Sequence, residues 1–374
     1  MPHFDIIRQS NPQKTFRVAS VMGTYDLQTN NIREHFVGDI DLPEKWQIGL
    51  IVGNSGTGKT TIARELFPDS YVTNFEYTHE CLLDDMPESA SVADICKALT
   101  QVGFASTPSW LKPYAVLSNG EKMRCDLARA MLMPQKLFVF DEFTSVVDRN
   151  VAKIGSFAMQ KAIRRGGGEK QLIAVTCHYD VEDWLLPDWV FDTNTMTFRL
   201  CEGQKKNRPT CRFDIYETKD KDYYWSIFRK YHYLSHSHNN AARVFVGTLN
   251  GQIAAFTSML PFPHPKKKGY WKGHRTVVLP DFQGLGLGIL IRNYVSQLFV
   301  NEGKGVIMTT SNPAMIASLK HSPLWVATRY GRASVGSDTG KIQNKHVKGS
   351  TSASRITASF EYIGKPTKTI KNDE

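Results

Sequence analysis

The stretch that decides the reading is Gly53-Asn54-Ser55-Gly56-Thr57-Gly58-Lys59-Thr60-Thr61. It follows an apolar run, Ile48-Gly49-Leu50-Ile51-Val52, which predicts a buried strand. It opens a predicted helix from Thr60 to Leu66, stopped near Pro68. Strand, glycine-rich loop and helix in this order make a phosphate cradle. The glycines let backbone N–H groups turn inward on the phosphates. Lys59 reaches the β and γ oxygens, and Thr60 offers its hydroxyl to Mg2+. ATP and Mg2+ are the expected ligands.

On the N-terminal side, Phe4–Ile7, Phe16–Val21 and His35–Ile40 alternate in short pieces and predict strands. Tyr25 offers either an adenine stack or an ordinary core or surface ring. On the C-terminal side, Tyr71–Phe75 predicts a strand. Ser91 to Val102 predicts a helix facing inward with Val92, Ile95, Leu99 and Val102. Leu117-Ser118-Asn119-Gly120-Glu121-Lys122 precedes a helix with Met123, Leu127, Ala130 and Met131 on one face, ended by Pro134. Amides at such a helix start, near Ser118 and Gly120, suit an anion. The strand Leu137–Phe140 delivers Asp141-Glu142. Asp141 suits the outer shell of Mg2+, and Glu142 can orient or deprotonate an attacking water. Ser145-Val146-Val147-Asp148 follows, and His178 stands at the end of the strand Ile173–Cys177, placed for a γ-phosphate. Each has a structural alternative: a strand-end Asp is often a cap, and a lone His often packs.

Taken together, order and spacing resemble the ABC-type ATPases, over about residues 1–200. The resemblance implies ATP-Mg2+ held by Gly53 to Thr61, with Asp141 supporting the metal together with Thr60. It implies Glu142 as catalytic carboxylate and His178 as γ-phosphate sensor. Ser118 and Gly120 would contact the ATP of a second subunit in a head-to-tail homodimer. The signature departs from the family at Asn119 and Glu121, and no glutamine lies between Lys59 and Gln101. These departures imply slow turnover, a switch more than a motor.

The chain has 374 residues, 41% hydrophobic, a length that fits two domains. It lacks an apolar run of membrane-spanning length and a secretory leader. Its six cysteines show no CxxC pair, so reduced thiols in a cytoplasmic protein are expected. The net charge of +10 is unevenly placed. From Lys205 onward there are 26 Lys and Arg against 10 Asp and Glu; the preceding residues hold 20 against 26. A basic half joined to an acidic half points to a polyanionic partner, DNA or RNA, with a merely basic soluble surface as the alternative.

The polar stretch Glu202–Pro209 sets the predicted boundary. Beyond it, Phe213–Tyr216 predicts a strand and Tyr223–Tyr231 an aromatic-rich helix. Arg243–Leu249, Asn250-Gly251 and Gln252–Thr257 predict a hairpin. The segment His274-Arg275-Thr276-Val277-Val278-Leu279-Pro280-Asp281-Phe282-Gln283-Gly284-Leu285-Gly286-Leu287-Gly288 runs a strand into a glycine-rich turn, with a helix predicted from Ile289 to Phe299. Amides of such a turn can grip a pyrophosphate.

The spacing of Gln283, Gly286 and Gly288, with the hairpin before and Gly305–Thr310 after, resembles the acyl-CoA loop of the GNAT acyltransferases. The resemblance implies acetyl-CoA or another acyl-CoA held by Gln283, Gly284, Gly286 and Gly288, with Val277 and Val278 lining the strand that meets pantetheine. Lys230–Leu234, the same loop and Asn312-Pro313 look like the Mom-type DNA-modifying branch, and like fusions of an ABC ATPase with an acetyltransferase. That likeness implies a nucleobase amine as acceptor. His232 is the first candidate base, with His236, His238 and His274 as rivals. A packed His232 and, more remotely, a histidine metal site are the alternatives. Tyr330, expected on a late helix, is the candidate proton donor to the thiolate. Lys266, Lys267, Lys268, Trp271, Lys272 and Arg275 form a basic patch interleaved with aromatics, a nucleic-acid surface or a solvated loop.

The expected fold is α/β: an ABC-type P-loop domain over residues 1–204, then a GNAT-like α+β domain over 205–340 and a basic extension over 341–374 with a strand-like piece at Arg355–Ile363. The expected function is ATP-dependent acyl transfer to a nucleobase amine. The alternatives are a DNA-associated ATPase with a non-catalytic GNAT-like module, and an ATP-regulated protein or metabolite acetyltransferase.

Overall fold

The computed structural model describes residues 3–10, 13, 15–27, 32–72, 75–166, 169–201, 211–232, 237–332 and 356–367. The chain groups into two units. One comprises residues 1–79, 85–102 and 117–209, the other 80–84, 103–116 and 210–374. The division is therefore not a single cut near residue 204, and the stretch around that cut lies outside the described residues.

The elements up to residue 201 are β1 (His3–Ser10), α1 (Phe16–Thr24), β2 (Ile32–Asp39), β3 (Ile48–Val52), α2 (Lys59–Leu66), β4 (Tyr71–Val72), α3 (Val92–Gln101), α4 (Thr107–Trp110), α5 (Asn119–Leu132), β5 (Leu137–Phe140), α6 (Arg149–Arg165), β6 (Gln171–Thr176), α7 (Val181–Leu185), β7 (Trp189–Asp192) and β8 (Thr197–Leu200). Strands β4-β5-β6-β3-β7-β8 form one sheet, parallel except for the β7–β8 pair; β1 and β2 form a separate antiparallel ribbon. β3 is buried at every residue because parallel partners flank it and helices cover such sheets on both faces. Ile51, Ile62, Val139, Ile173 and Phe191 pack its core, which reaches Phe4 and Phe36 of the ribbon.

Two local readings need correction. Phe16–Val21 is helical, not extended. The Thr15 hydroxyl accepts from Val18 N at 3.3 Å, so the segment closes its hydrogen bonds locally as a capped helix. None of its residues is buried, so no core face imposed a two-residue period. Val92 is exposed at the first turn of α3, while Ile95, Ala98 and Leu99 are buried.

Arg164 on α6 fastens the entry to β3. Its guanidinium donates to both Asp188 oxygens at 2.7 and 2.8 Å and to Leu186 O, and Asp188 accepts from the Gln47 and Ile48 amides at 2.8 and 3.0 Å. Burial alone would raise the Asp188 pKa; the Arg164 hydrogen bonds and the two amides outweigh it and hold it below the usual carboxylate range. A depressed folded pKa gives stability present above the unfolded pKa and lost as pH falls through the folded one. Arg164→Ala should therefore destabilise this unit by about 2 kcal/mol at neutral pH, discounted for partial exposure. In urea titrations the gap to the unmutated protein should narrow below about pH 4.

The second unit adds β9 (Phe213–Thr218), α8 (Lys221–Phe228), β10 (Arg243–Leu249), β11 (Gln252–Pro261), β12 (Tyr270–Val278), α9 (Leu287–Asn301), β13 (Gly305–Thr310), α10 (Pro313–Lys320), β14 (Trp325–Arg332) and β15 (Ile356–Tyr362). Its sheet runs β14-β15-β13-β12-β11-β10-β9, antiparallel except where β12 meets β13. Asn250 and Gly251 both take positive φ, 50° and 83°, as a tight hairpin turn requires. Alternate residues of β10 serve opposite faces. Phe245 joins the cluster of Ile291, Val295 and Phe299 under α9; Val244 and Val246 join Trp225, Phe228 and Phe256 under α8.

Here too the structure amends the reading. α9 begins at Leu287. Tyr330 lies on strand β14, not on a late helix, and is exposed. Residues 356–362 are not an appendage: β15 sits between β13 and β14, with Phe360 fully buried. The rest of the proposed extension lies outside the described residues.

Candidate functional site: two phosphate cradles

The loop between β3 and α2 has the geometry of an anion cradle. Gly58 takes φ 84°, and a Cβ there would lie 2.6 Å from the Phe36 ring, so only glycine serves. Thr57 shares a 2.6 Å hydrogen bond with Thr193, and the Asn54 amide donates to Asn194 Oδ1 at 3.1 Å. Lys59 is buried, its ammonium folded back on Asn54 O at 2.7 Å. Thr60 Oγ1 donates to Asp141 Oδ2 at 2.9 Å, which places together the alcohol and carboxylate that suit a hard cation. These residues fit ATP and Mg2+. Tyr71 also donates to Asp141 Oδ2; burial first, then that carboxylate, raises the phenol's pKa. Tyr71, Thr193 and Asn194 were not singled out from the sequence, because only the parallel sheet brings β4 and the end of β7 to the loop.

Glu142, exposed, follows β5 with φ 51°, its amide donating to Asp141 Oδ1 at 2.9 Å. A left-handed non-glycine residue costs about 1–2 kcal/mol, and such strain gathers at functional turns. His178 follows β6, its amide on Thr176 Oγ1. Ser118 caps α5 in a reciprocal box: its hydroxyl accepts from the Glu121 amide, and Glu121 accepts from the Ser118 amide. That box accounts for Glu121 in the departed signature. Gly120 is buried, and a Cβ there would meet Val151 of α6 at 3.0 Å.

The turn between β12 and α9 is a second cradle. Gly284 and Gly286 take φ of 88° and 87°, and a Cβ on Gly286 would meet nothing within 4 Å. Leu290 N bonds Gly286 O, so the amides of Leu287, Gly288 and Ile289 precede the first turn of helix bonds. Gln283 differs from its expected role. It is buried, its amide nitrogen donates to Val278 O at 2.9 Å, and its oxygen accepts from Ala105 N at 2.6 Å. Its side chain braces the turn. Val277 is buried under α8 and Val278 packs towards α9. β12 pairs with β13 only from Tyr270 to Lys272. Beyond that the strands part, leaving the β12 edge at 273–278 beside the glycine turn.

The family model "Acetyltransferase (GNAT) family" matches residues 206–321. The chain is 28% identical over 161 residues to an sn-glycerol-3-phosphate import ATP-binding protein of Rhizobium johnstonii, covering 34% of this chain and 42% of that protein. It is 33% identical over 93 residues to a cytochrome c biogenesis ATP-binding export protein of Vibrio parahaemolyticus, covering 25% and 42%. The chain joins an ABC-type ATPase domain to a GNAT domain. It spans less than half the length of the curated relatives it matches. Among solved structures, the Escherichia coli ribosomal-protein-S18-alanine N-acetyltransferase aligns with a TM-score of 0.31 at 15% identity, over 44% of this chain and 99% of that one.

In the GNAT unit, His232 is buried with its ring 5.8 Å from Trp225. Tyr233 and His236 lie outside the described residues. His238 and His274 lie with ring centroids 5.4 Å apart. Burial, then Arg275, lowers both, His274 to about 3, so both are neutral at neutral pH. Both His238 ring nitrogens and His274 Nε2 are buried with no hydrogen-bond partner among the described residues, at a cost of about 1–3 kcal/mol for each group left so. No metal-binding group of three His, Cys, Asp or Glu occurs among the described residues.

The basic patch is less open than expected. Lys267 pairs with Glu361, which also accepts from Tyr270. Trp271 is not a free stacking plate but packs on Phe299 at 4.8 Å. Arg275 donates to Ser237 O at 3.3 Å, and Lys272 is half-buried; Lys266 and Lys268 are exposed. Tyr330 carries the Lys320 ammonium 4.3 Å over its ring. No helix of the described residues is long and apolar enough to cross a membrane.

Proposed function

We propose that the chain is an ATP-dependent acyltransferase that moves an acyl group from acyl-CoA to a nucleobase amine in DNA or RNA, in the cytoplasm. The observation that carries this is the parting of β12 from β13 beside the open glycine turn, in a chain that also owns a nucleoside-triphosphate cradle. The exposed backbone edge at 273–278 suits pantetheine, and the amides opening α9 suit its pyrophosphate. The excess of 16 positive charges from Lys205 onward, with Lys266 and Lys268 in solvent, favours a polyanionic acceptor.

In this reading the acceptor amine's lone pair attacks the thioester carbon, the C–S bond breaks, and the amine proton passes to His232. Tyr330 gives its proton to the leaving thiolate. The ABC unit closes as a homodimer, with Ser118 and Gly120 facing the partner's ATP and Glu142 ordering the attacking water. Closure opens the duplex, since extruding a base costs a few kcal/mol.

Incubation of the protein with acetyl-CoA, ATP and either DNA or tRNA, followed by nucleoside mass spectrometry, should reveal an acetylated nucleoside. No gain on either nucleic acid, with a gain on a peptide, would rule the reading out.

A further inference from the structure

Where β12 leaves β13, the sheet carries a cluster that neither cradle uses. Along β11, Ser258 faces Arg275 and Met259 faces Gly273, so His274 falls between them as an unpaired bulge residue. A bulge re-aims its side chain. Gly273 lies against Arg292 on the α9 face, whereas the His274 ring meets His238 on the α8 face, the face of buried Val277. His238 in turn lies 5.5 Å from Trp225 and 5.8 Å from Phe256. The result is two imidazoles between aromatic walls, with three ring nitrogens buried and unpartnered among the described residues.

The charges around them are mostly positive. Arg275 and Lys221 act on His238, against Asp222 alone. Arg275, Arg292, His238 and His232 act on His274. Arg292, fully buried, donates to Arg275 O at 3.1 Å, to Thr276 Oγ1 and to Met259 Sδ, and no carboxylate pairs with it. The neighbouring residues 233–236 read Tyr-Leu-Ser-His and add none. An ammonium entering here would find no counter-charge.

We propose that the His238–His274 pair, walled by Trp225 and Phe256, receives the acceptor, and that the acceptor is an uncharged planar heteroaromatic ring bearing an exocyclic amine. This rests on the transferase reading. A neutral imidazole offers one donor and one acceptor, so the pair matches the mixed edge of a nucleobase. The aromatic walls match its faces. An alkylammonium offers only donors and a charge that this cluster repels.

The test uses the full chain with histidine-selective isotope labelling and unacylated CoA. His238→Phe and His274→Phe assign the two imidazole NMR signals. Adenosine or cytidine should shift both, and lysine amide should shift neither. Each Phe variant should bind nucleoside at least about tenfold more weakly, with acetyl-CoA affinity unchanged as the measure of an intact fold. Should a Phe variant not fold, His274→Gln, which keeps a donor and an acceptor, should retain nucleoside binding. Imidazole signals that answer lysine amide, or that stay silent to both nucleosides while acetyl-CoA binds, would overturn this proposal alone. Absence of acetyl-CoA binding in the unmutated protein would overturn the transferase reading, and with it the acceptor role.

Discussion

Glu142→Gln is expected to slow ATP turnover about a hundredfold or more while leaving ATP bound. Losing a positioned general base costs that much. Glu142 sits one residue beyond Asp141, in a turn whose left-handed backbone holds its carboxylate clear of the cation pair formed by Asp141 and Thr60. Removing its charge therefore leaves the metal partners intact. Lys59→Ala should instead lower ATP affinity itself, because the buried ammonium has no substitute inside the loop. Phosphate release and nucleotide retention on the protein separate the two variants. Unchanged turnover in Glu142→Gln would move the role of base elsewhere, with His178 next in line.

Gly286→Val should remove acyl-CoA binding, by at least about a hundredfold. The glycine begins α9 with φ 87° and open space where a side chain would grow, the space the proposal gives to pyrophosphate. Backbone strain alone would cost only about 1–2 kcal/mol. Gly251→Ala supplies the comparison: φ 83°, equally open, but in the β10–β11 turn. It should lose stability of the same order and keep its CoA affinity. Calorimetric titration with acetyl-CoA distinguishes them. Equal, small effects on CoA binding in both variants would sink the second cradle.

Both cradles were legible because their signals are local. A glycine required by positive φ, a lysine and a hydroxyl at fixed offsets and an apolar strand all lie within a dozen residues. What stayed hidden depends on distant partners. Gln283 reads as part of a ligand loop, yet Ala105 and Val278 occupy both ends of its amide. Trp271 reads as a stacking plate, yet Phe299 takes its face. The segment 16–21 alternates like a strand, but with no core face to serve it obeyed the Thr15 cap. The histidine pair needed the bulge at His274, which appears only once β11 is laid against β12.

The backbone passes between the two units five times, and that shapes how the protein can be taken apart. A fragment starting at residue 210 would lack Leu82 and Lys112, joined by a 2.9 Å backbone bond, and Trp110, which fastens to Phe104. It would also lose the Ala105 amide that anchors Gln283. Dissection at the polar joint should thus yield an ATPase piece with two orphaned strips and a transferase piece with a loosened donor turn. Splitting the gene there is a poor route to separate enzymes, and the two activities are better silenced one at a time by point substitution within the intact chain.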